Sequence, residues 1–169
     1  VKYATTGGPG NDSFTMISAL FATLGIESEA VPYDGGQEAI NALVGGHVDV
    51  AIGSPPTYRD YVINGELNCP GTFIPEGLDV EGIGHIPSFK DQGIDIEFTG
   101  MDYFAVRSTV DAEKQEILRD FVLKVYAEPD FQKFMADMGM AAWEADSSEI
   151  LGMVSAQTEA MAKYIPLVQ

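Results

Sequence analysis

The segment Thr5-Thr6-Gly7-Gly8-Pro9-Gly10-Asn11-Asp12-Ser13 gathers glycines, hydroxyls and an amide between a strand-like run and a helical one. At such a junction the unpaired amides and dipole of a helix N-terminus attract anions. Glycine lets the backbone approach a ligand, and Thr5, Thr6, Asn11 and Ser13 add neutral donors, so the chemistry on offer is the cradling of a small carboxylate. The competing reading is a flexible connection capped by Asp12 or Ser13. It is neither a phosphate loop nor a dinucleotide fingerprint, because the lysine of the first and the glycine spacing of the second are missing.

Other reactive residues stand apart from one another. Ser54, in Gly53-Ser54-Pro55, follows a strand as a nucleophile would, but G-x-S-x-G cannot be written around it. His47 reads as a residue at a helix end, His85 as a loop residue, and Cys69 as packed or exposed. Two separate histidines and a single cysteine give no metal-ligand spacing and no intrachain disulfide. No catalytic residue, metal or cofactor is expected. Asp49 interrupts the apolar run 48–52 and must find an edge, an amide or a cation.

The elements that position these residues follow from hydrophobic periodicity. Strand, turn and helix recur over residues 1–67: strands at 1–5, 27–32 and 48–52, and helices at 13–24, 36–44 and from Pro55 or Pro56 to about 64. The first helix carries Phe14, Ile17, Leu20, Phe21 and Leu24 on one face, and Asp34 is the expected cap of the second. This pattern predicts an α/β lobe with a mostly parallel central sheet flanked by helices. The turns 32–36 and 53–56 then emerge on the same sheet edge as the first loop, where ligands bind in open α/β sheets. Beyond them, residues 75–84 read as a loop, 88–92 as a short helix, and 94–98 and 103–107 as strands. Helices follow at 111–127, 129–138 and 147–164, with Asp146 or Ser147 as the last N-cap and no capping box from Ser147 with Ile150. Phe121, Tyr126, Phe131, Phe134, Met135, Met138 and Trp143 form an aromatic and methionine-rich tail, a pattern that usually marks packing surface.

The chain has 169 residues, 46% hydrophobic and 21% charged, a mixture that folds. Its net charge of −17 repels polyphosphates and anionic lipid surfaces, so no nucleic-acid partner is expected.

Four segments resemble the solute receptors of tripartite tricarboxylate transporters, a branch of the periplasmic binding proteins. Val31-Pro32-Tyr33-Asp34-Gly35-Gly36 with Ala39 is similar to V-P-Y-K-G-G-x-x-A. The run from Leu43 through Gly45-Gly46, Val48-Asp49 and Gly53-Ser54-Pro55 resembles L-L-G-G-x-V-D-x-x-x-G-S-P. Residues 62–67 are similar to a helix end and following strand of the family, and residues 86–95 to its P-T-F-K-E-Q-G-I-D stretch. The resemblance implies a periplasmic-binding-protein-like lobe over residues 1–98, a return crossing and C-terminal helices over 99–169, and an N-terminal lobe that lies outside this sequence. It implies a periplasmic or extracytoplasmic protein that is not an enzyme and that passes a small organic carboxylate to membrane permease subunits. The implied contacts are Thr5, Thr6, Gly8, Asn11, Ser13, Tyr33, Gly35 and Ser54. Asp34 departs from the family's basic residue, and Phe14 from a histidine. The apolar face of the tail would be left to an absent lobe or to a homodimer. A sensor or adaptor of the same fold is the alternative, and a serine hydrolase using Ser54 ranks below both.

Overall fold

In the computed structural model, which describes residues 1–140 and 144–168, backbone pairing begins at the first residues. Strand β1 (Lys2–Thr5) lies between β2 (Glu29–Pro32) and β3 (Val50–Ala51), and both pairings are parallel. Side chains alternate across β1. Tyr3 faces helix α1 (Asp12–Thr23) and packs with Ile17 and Phe21, while Ala4 faces helix α2 (Gly36–Val44) and packs with Ala39 and Ala42. The small side chain of Ala4 lets α2 lie close, and the bulk of Tyr3 fills the α1 side. Helices therefore cover both faces, and all three strand C-termini point to one rim, as the sequence predicts.

The other flank of α1 supplies a second core. Met16, Ala19 and Leu20 bury against Ile96 and Tyr164, with Phe73, Phe89 and Phe98 around them. Met16 and Ile96 are fully enclosed, each burial worth about 1.5–3 kcal/mol. Leu24, expected on the buried face, is 45% exposed, because the helix has passed the sheet by its last turn. Helix α3 (Pro55–Ile63) packs Tyr58 against Ile40, Val80 and Ile86.

Several boundaries differ from expectation for local reasons. Asn11, not Asp12 or Ser13, caps α1, its side-chain oxygen accepting the Ser13 N–H at 2.9 Å. Asp34 does not cap α2: Gly35 occupies that position in an extended conformation and leaves the helix without a side-chain cap. Residues 78–86 form a hairpin of β4 (Leu78–Val80) and β5 (Gly84–Ile86) where a loop is expected, turning at Gly82 with φ +83°. His85 is accordingly a strand residue, its ring 2.9 Å from the Asp79 carboxylate. The expected helix at 88–92 is a series of turns ended by Gly93, too short to offset the cost of a helical nucleus. The expected strands at 94–98 and 103–107, and the strand after residue 64, have no ladder partner among the described residues. The first is still held, through Phe98 N–H to the Phe73 carbonyl at 2.8 Å.

The tail forms α4 (Ala112–Ala127), α5 (Pro129–Asp137) and α6 (Ser147–Ala162), then a 3-10 turn at Ile165–Leu167. Asp146 caps α6 and makes a capping box with Glu149, a pairing missed by testing Ser147 with Ile150. None of the three helices buries a residue fully, and Phe121 and Phe134 are exposed. Trp143 lies outside the described residues.

Candidate functional site

At the C-terminal rim of the sheet an open cleft of about 230 Å³ separates the three strand-to-helix turns. Thr6 and Ser13 come from the first turn, Gly36 from the second, and Gly53 with Ser54 from the third. Asp12 stands at the edge, and Met16, Ile52 and Phe98 form an apolar wall. Each turn is shaped by its own residues. Gly10 takes φ +97°, which closes the first loop onto α1. Gly53 is required for space, since a Cβ there would lie 2.7 Å from Thr57 Oγ1 and 3.2 Å from Ile40 Cδ1. The third turn therefore sits hard against α2.

Hydrogen bonding fixes the polar side of the cleft. Ser13, 7% exposed, is the hub: its Oγ accepts the Thr6 N–H at 3.0 Å, donates to Asn11 Oδ1 at 2.7 Å, and lies 3.0 Å from Thr6 Oγ1. The loop is thus a preorganised network and not a slack connection. The three helix N-termini differ in the donors they offer. Helix α3 begins Pro55-Pro56, so its first two positions have no N–H. Helix α2 has no side-chain cap, and the Gly36 N–H finds no acceptor among the described residues. It is the more open anion-facing terminus.

Of the sequence-predicted contacts, Thr6, Ser13 and Ser54 come together at the cleft. Thr5 is fully buried and donates its hydroxyl to the Gly7 carbonyl at 2.6 Å, so it builds the loop from within. Asn11 likewise serves the loop, as cap and as partner of Ser13. Gly8 is exposed, with its carbonyl accepting the Asn11 N–H at 3.1 Å. Tyr33 packs against the Ala4 and Ala39 cluster, and Gly35 is the cap behind Gly36. Neither lines the cleft. The sequence reading overlooked Met16, Ile52 and Phe98 as cleft residues. Met16 lies three positions from Ser13 and Ile52 two from Ser54, but Phe98 arrives from 85 residues beyond Ser13 in sequence, with no local signal.

No histidine lines this cleft. His47 follows α2 at the start of the β3 segment, at the other end of the sheet from Ser54, and His85 is on the hairpin. Cys69 is half-buried against Tyr58, and burial pushes both the thiol and the phenol above their ordinary pKa. The thiol therefore stays protonated near neutrality, the unreactive form. Among the described residues no group of three His, Cys, Asp or Glu side chains is placed to hold a metal, and no helix is long and apolar enough to cross a membrane. Asp49 finds an amide: Lys2 N–H donates to its Oδ2 at 2.8 Å, tying β3 to β1.

This geometry has counterparts among known proteins. A crystal structure of a TctC solute binding protein from Polaromonas, without ligand, superimposes with a TM-score of 0.64 at 21% identity, over 99% of this chain and 56% of that one. That likeness establishes the fold, an α/β arrangement with a parallel sheet flanked by helices. The UPF0065 protein in the gbd 5'region of Cupriavidus necator is 26% identical over 149 residues, 86% of this chain and 44% of that protein. The chain spans about half the length of both. The family model for the tripartite tricarboxylate transporter family receptor matches residues 1–168, and the chain belongs to that family.

Proposed function

We propose that the chain is the second lobe and C-terminal helices of an extracytoplasmic solute-binding protein, which captures a small organic carboxylate and hands it to the membrane subunits of a tripartite transporter. Residues 1–98 are the ligand-binding lobe, and residues 99–169 carry the return crossing and the helical tail. The observation that carries this reading is the convergence of Thr6, Ser13, Gly36 and Ser54 on one cleft at the rim of a parallel sheet, in a chain of this receptor family. Neutral donors on short, rigid turns suit reversible capture: they orient a carboxylate without transferring a proton, and no histidine lines the cleft to activate Ser54. Closure of a facing lobe over the cleft would complete the contacts. The exposed apolar faces of α4 and α5 are suited to packing against that lobe.

Titration calorimetry of the intact protein against mono-, di- and tricarboxylates tests the reading. Saturable binding of one class, lost on filling the cleft with Ser54→Trp, is expected. Absence of binding across the panel, or binding that Ser54→Trp leaves unchanged, overturns it.

A further inference from the structure

We infer that the ligand of this cleft is an apolar-bodied zwitterion, with one carboxylate, one ammonium and a hydrocarbon body, and not a di- or tricarboxylate. The inference rests on the receptor reading above and narrows its ligand. Three features of the cleft carry it.

The first is charge. No Lys, Arg or His lines the cleft, and the one ionisable lining residue is Asp12. Asp12 stands in the first turn of α1, where its carboxylate offsets the attraction of that helix end for anions. A polyanion meeting this wall gains no ion pair and meets the Asp12 carboxylate. An ammonium group facing Asp12 gains a charge-assisted hydrogen bond.

The second is the division of labour among neutral donors. One carboxylate is served by the Gly36 N–H, which has no acceptor among the described residues, and by the Ser54 hydroxyl across the cleft. The other polar groups of this wall are less free: Ser13 Oγ is committed to Asn11 Oδ1, and Pro55 and Pro56 leave α3 without its first amides.

The third is the apolar wall. Met16, Ile52 and Phe98 face the same space, and Phe98 is only half-buried, with ring surface left for a ligand to cover. A citrate-like ligand would set hydrated carboxylates against this surface, and a hydrocarbon chain would desolvate it favourably.

Calorimetry of the intact protein with leucine, 4-methylpentanoate, succinate and citrate tests the inference, on the wild type and on Asp12→Asn and Phe98→Ala. Asparagine keeps an oxygen acceptor for the Ser13 N–H, so the fold is retained. Leucine is expected to bind tightest, by on the order of tenfold over succinate and citrate, and Asp12→Asn to weaken leucine by a similar factor while leaving 4-methylpentanoate unchanged or improved. Phe98→Ala should weaken leucine and 4-methylpentanoate alike. Tighter binding of succinate or citrate than of leucine overturns the inference and leaves the receptor reading standing, as does tighter binding of 4-methylpentanoate than of leucine. Absence of binding by all four overturns the inference, and the wider carboxylate panel then decides the receptor reading separately.

Discussion

The hydroxyl of Tyr164 accepts the backbone N–H of Glu97 at 2.9 Å and lies 3.2 Å from the carbonyl of the same residue, to which it donates. Tyr164 is 3% exposed, and Glu97 adjoins Phe98, which lines the cleft. The end of the helical tail is thereby pinned to the cleft wall, 67 residues away in sequence. The amide of Gln157 adds a second tie from α6, to the carbonyl of Thr99.

Tyr164→Phe keeps the ring in its core and removes both hydrogen bonds, leaving the Glu97 backbone unsatisfied. Unfolding in urea should show a loss of about 1–3 kcal/mol, with faster amide exchange confined at first to residues 96–98. A loss within error would show that the tail does not hold this wall.

Asn11→Ala removes the cap of α1 and the acceptor of the Ser13 hydroxyl together. The expected cost is about 1 kcal/mol, with Asn11→Ser recovering most of it because serine also caps well. Thermal unfolding resolves this as a drop of about 2–4 °C.

Gly53 and Gly8 provide a matched pair. Alanine at Gly53 would press on Thr57 and Ile40, and alanine at Gly8 meets nothing within 4 Å. Gly53→Ala should destabilise by about 1–3 kcal/mol, as overpacking does, and weaken ligand binding through the displaced Ser54, while Gly8→Ala should do neither. Equal effects at the two sites would remove the third turn from the account of the cleft.

The first turn of α6 responds to acid. Hydrogen bonds from the Ser148 hydroxyl and the Glu149 and Ser148 amides lower the pKa of Asp146 below the ordinary 3.8. A depressed folded-state pKa means that the cap's contribution is fully present above the ordinary aspartate value and is lost as pH falls through the lower, folded one. Amide exchange at Ser148 and Glu149 should accelerate over that acid window. Asp146→Ala should show fast exchange at every pH, and an unchanged acid response in that variant would assign the effect to another group.

The core around the parallel sheet was legible because its signals are local. The strand-like run at 1–5, the periodicity of Ile17, Leu20 and Phe21, and the paired prolines at 55 and 56 each specify an element within a few residues. What was not legible depends on distant partners. Residues 94–98 have the composition of a strand, yet their backbone is held by Phe73 and Tyr164 and joins no ladder. Phe98 becomes a cleft residue only through those two anchors. Within the first loop, donor chemistry alone could not separate Ser13, which reaches the cleft, from Thr5, whose hydroxyl turns inward to Gly7. Tyr33 stands in the second turn, and its half-buried ring packs against the Ala4 and Ala39 layer.

The most direct test of the central claim is amide chemical-shift mapping of the intact protein during titration with a bound carboxylate. Saturable shifts concentrated at Thr6, Ser13, Gly36, Gly53 and Ser54 are predicted, since these turns form the cleft. Shifts that leave those amides untouched and gather instead at the groove formed by Ser18, Ile26 and Leu167 on the far side of α1 would contradict it.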